Sequence, residues 1–147
     1  MQHRVVRRLA YRPEQLFTLV GDVERYPQFV PWVTALRTWN RRDIGEGVLA
    51  LDAEARVRFS IIRERFATRV RLDRPALAID VSLISGPFRR LENRWRFVPA
   101  AEGAELTFDI EFEFGSPLLQ SLLAANFERA VGRLVGCFEQ RAEDLYG

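Results

Sequence analysis

The sequence of 147 residues contains no lysine, so all 22 of its basic side chains are arginines. A chain without lysine cannot supply the lysine of a phosphate-binding P-loop, and the glycine-rich dinucleotide-binding pattern is also absent. The single cysteine, Cys137, excludes an internal disulfide and a cysteine-based metal cluster, which suits a reducing cytoplasm. The single histidine, His3, lies close to the N-terminus, where we do not expect a Ser-His-Asp triad or a metal site.

The chain also lacks a long apolar run and a strong charge imbalance. No apolar stretch approaches the roughly 20 residues that span a bilayer, and strand-like sequence begins too early to leave room for a signal peptide. The net charge of +2 is too small to indicate a DNA-binding protein. We therefore expect one domain over residues 1–147, in the cytoplasm, whose only membrane contact is peripheral and transient, at the inner membrane. Acid–base groups on inward faces are scarce, so we expect no enzyme, no catalytic residue, no metal and no catalytic cofactor.

What the sequence does contain is a strand with strictly alternating side chains. Apolar and polar residues alternate from Leu106 to Phe114, which predicts one dry face and one wet face. The preceding strand repeats the pattern, with Trp95 and Phe97 on one face and Arg94 and Arg96 on the other. If the two strands pair in antiparallel fashion, their outer faces set arginines against carboxylates. Their inner faces then form an aromatic wall that comprises Trp95, Phe97, Phe108, Phe112 and Phe114.

Apolar spacing predicts the elements that precede this wall. Residues 2–11 are predicted as a first strand and residues 13–24 as a short helix. Residues 33–84 are predicted as a series of strands, with one turn at 43–47 and another at 85–87.

The last part of the chain is predicted as one helix over residues 116–145. Ser116 and Pro117 are typical of a helix start, with the serine as N-cap and the proline in the first turn. Gly132 and Gly136 inside the helix indicate either close approach to the sheet or room for a ligand. An apolar stripe with spacings of three and four residues is broad enough to lie along a sheet. The stripe comprises Leu119, Leu123, Phe127, Val131, Leu134 and Phe138.

Residues 22–32, which we call the lid, combine two prolines with four large apolar side chains. Prolines four residues apart prevent a long helix and favour a short helical turn or a loop. An aromatic-rich connection of this kind is usually folded over an apolar surface. The lid is therefore interpreted either as packed on the core or as a cover over a ligand.

The strand predicted from about residue 61 to residue 72 has two contrasting faces. One face carries an arginine ladder, which is interpreted as a solvated surface and comprises Arg63, Arg65, Arg69 and Arg71. The other face is apolar except for Glu64, which lies next to Phe66 in the inward alternation. A carboxylate on an apolar face must find a partner or shift its pKa. Glu64 is therefore either half of a salt bridge at the end of the strand or a polar anchor inside a cavity.

Together these elements predict an α+β fold, in which a curved antiparallel sheet wraps around a long C-terminal helix. The order of one strand, two short helical segments, six strands and a long helix resembles the helix-grip fold of START-related and polyketide cyclase/dehydrase-like domains. More specifically, the chain resembles the coenzyme-Q-binding START family and its bacterial relatives, the ribosome-association toxins. The stretches that carry the resemblance are residues 22–32, residues 53–59 with 64–68, residues 86–97, and residues 112–114 with 138–142.

The resemblance implies a non-catalytic binding protein or chaperone for an isoprenoid quinone, ubiquinone, that supports respiratory electron transport. Glu64 would be a partner for the quinone head group. The toxin relatives imply an alternative, a ribosome-binding factor that impedes subunit association and uses the arginine ladder against rRNA phosphate. A cyclase-like enzyme of the same fold is a third hypothesis. The expected ligand-binding residues are Tyr26, Phe29 and Trp32 as a gate, Phe66, Trp95, Phe97, Phe112 and Phe114 as a wall, and Leu119, Leu123, Phe127 and Val131 on the helix side.

Overall fold

The computed structural model describes residues 1–59 and 61–147, and its main feature is one antiparallel sheet of seven strands. The strands follow one another along the sheet in the order β1-β7-β6-β5-β4-β3-β2. Their bounds are β1 (Gln2–Leu9), β2 (Val33–Gly45), β3 (Val48–Phe59), β4 (Ile62–Asp73), β5 (Ala78–Ser85), β6 (Phe88–Ala100) and β7 (Gly103–Phe114). Strands β2 to β7 therefore form a meander, and β1 is the edge strand beside β7.

The connection from β1 to β2 joins the two edges of the sheet. It contains the two short helical segments that the sequence predicts, α1 (Pro13–Gly21) and a 3₁₀ segment (Val23–Gln28). The ring of Phe17 in α1 packs edge-on against Phe97 of β6, with ring centroids 6.3 Å apart. The connection thus covers part of the inner face of the sheet.

The aromatic wall that the alternating strands predict is confirmed. Trp95 lies opposite Phe108 in the β6–β7 register, both side chains are buried, and their ring centroids are 4.1 Å apart. On the outer face Arg94 lies opposite Asp109, as expected. The Asp109 carboxylate, however, accepts its shortest hydrogen bond from Arg4 of β1, with 2.6 Å between Nε and Oδ1.

The C-terminal region differs from the single helix predicted over residues 116–145. It consists of α2 (Pro117–Ala124) and α3 (Phe127–Tyr146). The Ser116 hydroxyl caps α2 as predicted, because it accepts a hydrogen bond from the Leu119 N–H at 3.4 Å. The break falls at Asn126, whose backbone (φ −118°, ψ 9°) is not helical. Asparagine is more favourable just before a helix than inside one, which is consistent with this position.

The apolar stripe of α3 packs on the inner face of the sheet, whereas α2 contributes no buried residue. Phe138 lies edge-on against Trp95, with centroids 4.9 Å apart, and Phe127 lies against Phe112 at 4.5 Å. None of the described helices is both long and apolar enough to cross a bilayer. The antiparallel sheet and C-terminal helix confirm the predicted α+β class, and they leave unfilled space between sheet and helix.

Candidate functional site

An outer cavity of about 250 Å³ lies where β3, β4, β6 and β7 face the C-terminal helices. Its lining is almost entirely aliphatic and aromatic, and two polar side chains, Glu64 and Asn126, interrupt it. The remaining lining residues are Trp32, Val57, Phe59, Ile62, Phe66, Phe88, Leu91, Ile110, Phe112, Phe114, Leu123, Phe127, Ala130, Val131 and Leu134. The composition of this lining is typical of a site for an apolar ligand.

An inner cavity of about 210 Å³ adjoins the outer one. It extends towards the 3₁₀ segment and β5, where Tyr26 and Ile79 line it. Six residues line both cavities, namely Trp32, Val57, Phe66, Leu91, Ile110 and Leu134. These shared walls make the two cavities neighbouring parts of one apolar region beneath α3.

Ten of the thirteen residues expected to bind a ligand line one or both cavities. Tyr26 and Trp95 line the inner cavity alone. Those that line the outer cavity are Trp32, Glu64, Phe66, Phe112, Phe114, Leu123, Phe127 and Val131.

Three of the expected residues, Phe29, Phe97 and Leu119, line neither cavity. Phe29 packs on Phe138, with ring centroids 5.2 Å apart. Phe97 is buried beside α1, and Leu119 is half-buried on α2. A period-2 or helical pattern tells which face a residue occupies, but not whether that part of the face borders a cavity.

Several lining residues are absent from the expected set. Phe59 and Ile62 lie on either side of the β3–β4 turn, and nothing in their local pattern places that turn at a cavity. Phe88 and Leu91 lie on either side of a register shift at the start of β6. A β-bulge adds one residue and breaks the alternation, so a period-2 reading does not assign both to the inner face. Ile110 and Leu134 could have been included, because both belong to patterns already assigned inward.

The lid combines the two interpretations that the sequence leaves open. Tyr26 packs on the core, because its ring lies 5.1 Å from that of Phe138 and its hydroxyl donates a hydrogen bond to the Val20 carbonyl. Burial raises the pKa of the Tyr26 hydroxyl above its ordinary value. Trp32 instead lines both cavities and meets Phe59, the last residue of β3, edge-on at 6.1 Å between centroids. The Trp32–Phe59 contact therefore borders the outer cavity.

Glu64 lines the outer cavity and is half-buried, opposite Val57 of β3. Within the described residues it makes no salt bridge and no side-chain hydrogen bond, so the alternative of a salt bridge at the strand end finds no partner there. Glu64 and Tyr26 are the titratable side chains among those that line the cavities. No group of three or more His, Cys, Asp or Glu residues in the described chain is placed to hold a metal ion.

The predicted arginine ladder divides into two halves. Arg69 donates to Asp52, with 3.3 Å between Nε and Oδ1, and Arg71 lies 3.4 Å from Asp73. The other half, Arg63 and Arg65, forms no ion pair with the described residues. These two arginines lie directly opposite two further exposed arginines of β3. We call this group the arginine tetrad, and it comprises Arg56, Arg58, Arg63 and Arg65.

The chain is similar to one protein family and to three individual proteins over most of its own length. The family model described as polyketide cyclase/dehydrase and lipid transport matches residues 9–139. The ribosome association toxin RatA of Rickettsia prowazekii is 35% identical over 140 residues, which cover 93% of this chain and 92% of the toxin. The mitochondrial coenzyme Q-binding protein COQ10 homolog B of Xenopus laevis is 31% identical over 144 residues, which cover 95% of this chain and 57% of that protein. An 18 kDa protein of Caulobacter crescentus, solved in solution, is 55% identical, with a TM-score of 0.84 over 100% of this chain and 99% of its own.

The fold also occurs in proteins with little sequence similarity. The Zhui aromatase/cyclase of a Streptomyces species has a TM-score of 0.76 over 97% of this chain and 92% of its own. Its sequence identity of 16% makes this a likeness of fold alone.

Proposed function

Because this chain belongs to the polyketide cyclase/dehydrase and lipid transport family, we propose that it is a non-catalytic carrier for an isoprenoid quinone of the ubiquinone type. The resemblance to both groups is confirmed, because one relative is named a ribosome association toxin and another a coenzyme Q-binding protein homolog. The observation that carries the proposal is the pair of adjoining cavities, whose lining is apolar apart from four polar side chains and Tyr26.

The affinity of such a carrier comes mainly from burial of the ligand's hydrocarbon tail. Each Å² of apolar surface removed from water contributes about 25 cal/mol. The rings of Phe66, Phe112 and Phe127 supply the complementary surface in the outer cavity. A tail enters and leaves where Trp32 of the lid meets Phe59, since separation of this one edge contact opens the outer cavity.

The first test is solvent extraction of the purified protein, followed by mass spectrometry of the extract. We expect a quinone in near-stoichiometric amount. The Ala130→Phe variant should yield at least tenfold less quinone than the parent protein. The added ring fills the outer cavity from a small, half-buried lining position. Phe127→Asp should abolish loading as well, since it places a carboxylate against the tail.

The matched control is Arg129→Phe, which adds the same ring one residue away, at an exposed position of α3. It should retain the quinone. Equal loading in a folded Ala130→Phe variant would contradict the placement of the ligand, and extracts that never contain a quinone, even after incubation with one, would contradict the carrier function.

A second candidate function, a ribosome-binding factor that impedes subunit association, is favoured by the arginine tetrad. Its members face one another in two pairs across β3 and β4, Arg56 with Arg65 and Arg58 with Arg63. Like charges directly opposite each other on a sheet are destabilising, so an anionic partner would relieve this repulsion. A phosphate backbone offers such charges at regular spacing. The 35% identical relative that is named a ribosome association toxin adds to this candidate.

Sedimentation with ribosomal subunits at several salt concentrations tests this candidate. The logarithm of the binding constant falls linearly with log [salt], and the slope becomes steeper with each phosphate contact. If all four tetrad arginines contact phosphate, replacing them with glutamine should make this slope less steep by about 3. The charge-matched control replaces Arg8, Arg41, Arg94 and Arg129, which are exposed and lie outside the tetrad. If the two quadruple variants have equal effects, the tetrad acts only through its net charge and is not the site of contact with the ribosome.

A further inference from the structure

The inner cavity contains polar side chains that have no partner in the described part of the chain. Asn93 and Thr68 line it, and neither side chain makes a hydrogen bond with a described residue. The Oδ1 atom of Asn93 is fully buried, and it is the one such side-chain atom without a partner among the described residues. Thr68 is 7% exposed. Tyr26, the other hydroxyl in this lining, is already engaged with the Val20 carbonyl.

The register of the sheet places both side chains on the inner face. Asn93 lies between Leu91 and Trp95 in the inward alternation of β6, and its neighbours Glu92 and Arg94 are exposed. Its cross-strand partners, Val81 and Ile110, also line the inner cavity.

Thr68 approaches the same cavity from β4, on the other side of β5. It lies opposite Leu83, two residues along β5 from the Val81 that faces Asn93. Two strand spacings and this offset separate the two backbones by roughly 10 to 12 Å. The two polar groups therefore lie apart from each other along the wall that the sheet contributes to the inner cavity.

A buried polar group without a partner is unfavourable, and in native proteins it usually has a partner or a function. Ligand sites characteristically combine an apolar lining with a few polar groups that fix the orientation of the ligand. The carboxamide of Asn93 and the hydroxyl of Thr68 can each donate or accept a hydrogen bond. Together they match a compact ring that carries oxygens on opposite sides and is surrounded by apolar surface.

We propose that the inner cavity binds the head group of the quinone, with Asn93 and Thr68 as its hydrogen-bonding partners, and that the tail occupies the outer cavity. This inference rests on the proposed carrier function and fixes the orientation of the ligand. It replaces Glu64, which lies in the outer cavity, as the expected partner of the head group. Since both partners are uncharged and can donate or accept, the site receives a quinone and the corresponding quinol without a change of protonation.

Two probes with the same tail separate recognition of the head group from burial of the tail. Decylubiquinone carries the oxygenated ring, and decylbenzene carries a bare ring with the same ten-carbon chain. We measure the dissociation constants of both by isothermal titration calorimetry. Asn93→Leu and Thr68→Val, which keep similar volumes, should each weaken binding of decylubiquinone about tenfold and leave binding of decylbenzene within twofold.

A third variant and a stability measurement complete the design. Glu64→Gln tests the earlier expectation, and a loss of decylubiquinone binding larger than those of Asn93→Leu and Thr68→Val would return the head group to Glu64. Asn93→Leu should melt no lower than the parent protein, because it removes an unpartnered polar group from an apolar surface. If the variants weaken both probes equally, or weaken neither, the assignment of the head group is wrong. If the parent protein binds neither probe, the carrier function itself is wrong, and the two failures are thus distinguishable.

Discussion

At the scale of single residues, Asp52 is the carboxylate at which β2, β3 and β4 meet. It is 5% exposed, and its Oδ2 atom accepts a hydrogen bond from Asn40 Nδ2 at 3.0 Å. Its Oδ1 atom lies 3.3 Å from Arg69 Nε and 3.9 Å from Arg42 Nη1. The hydrogen bond from Asn40 lowers the pKa of Asp52 most, and burial opposes it. The hydrogen bond and charge of Arg69 and the charge of Arg42 add to the lowering, so that the pKa lies below its usual value of 3.8. The ionised carboxylate therefore stabilises the outer face of the sheet.

Replacement of this carboxylate in Asp52→Asn should lower the free energy of unfolding at pH 7 by about 2 kcal/mol, because two guanidinium groups lose the negative charge beside them. The folded-state pKa lies below the unfolded one, so the stabilisation is complete above about pH 4 and is lost as the pH falls through the folded-state pKa. The difference between parent and variant should therefore narrow below pH 4. Urea unfolding at pH 7 and near pH 3 measures it, with the exposed Asp43→Asn as control. A difference that stays constant with pH would refute the electrostatic origin.

The sequence places Asp52 on the wet face of its strand but does not reveal its burial. Alternation assigns a residue to one face of the sheet. Which side chain then covers Asp52 on that face depends on the conformation of β2. There Asn40 adopts a left-handed backbone, with φ 56°, inside a shift of the β2–β3 register between Trp39 and Arg42, and its amide reaches the carboxylate. This conformation leaves no periodic signal in the sequence.

At the scale of secondary-structure elements, the two glycines of α3 do not have either role suggested by the sequence. A Cβ atom built on Gly132 or Gly136 meets nothing within 4 Å, so neither marks a close approach to the sheet. Neither residue lines a cavity. Each glycine therefore only lowers the intrinsic stability of the helix, by about 1 kcal/mol relative to alanine.

Substitution Gly136→Ala should raise the free energy of unfolding by about 0.5 to 1 kcal/mol, since it adds helix propensity at an exposed, open position. Denaturant titration of the parent and the variant measures the change. Gly103→Ala is the contrasting variant, because its Cβ atom would collide with the Leu9 carbonyl and destabilise the β6–β7 turn. A loss of stability in Gly136→Ala would indicate an unrecognised contact of that helix face.

Strand alternation and proline positions are sufficient to predict the seven strands and α1, and they leave the 3₁₀ segment open as a short helical turn or a loop. They succeed because each depends on local geometry, the period of a strand or the fixed φ of proline. The break between α2 and α3 is not predicted, because the apolar stripe continues through it without a change of spacing from Leu123 to Phe127. Only the backbone at Asn126 distinguishes two helices from one.

At the scale of the whole molecule, the cavities are formed by residues far apart in the chain. Trp32, Phe59, Phe88 and Leu123 come from the lid, β3, β6 and α2, and they line one cavity. The sequence predicts which faces are apolar, and this is sufficient for most of the wall. It does not predict where a cavity remains between those faces, since the position of a cavity depends on the relative placement of all the elements.

Ligand binding should stabilise the whole fold, because an unfolded chain has no cavity. At a free concentration of decylubiquinone about 100 times its Kd, the free energy of unfolding should rise by about 2.7 kcal/mol. Thermal or denaturant unfolding with and without the quinone measures the increment. Ala130→Phe, whose outer cavity is filled, should show no increment, and a similar increment in this variant would mean that the quinone binds elsewhere.

The separation of α2 from α3 has a consequence for the kinetics of exchange. α2 contributes no buried residue, and its side chains are attached mainly through half-buried Leu119 and Leu123 and one hydrogen bond, from the Phe114 N–H to Gln120 at 3.1 Å. The helix ends at Ala124, and the Asn126 N–H donates to the Leu123 carbonyl at 3.1 Å across the break. Because α3 begins a new helix at Phe127, α2 can detach as a hinged flap while α3 stays intact. Local openings of this kind have a much lower free energy than global unfolding.

In hydrogen–deuterium exchange, the amides of α2 should therefore exchange far faster than those of α3 around Val135, which is fully buried. Equal protection of the two helices would show that they open together. If α2 opens alone, it gives the ligand a second route beside the Trp32–Phe59 edge, through a flap that carries little of the stability of the fold. Substitutions on α2 would then change the residence time of the bound ligand over a wide range and leave the lifetime of the folded protein unchanged.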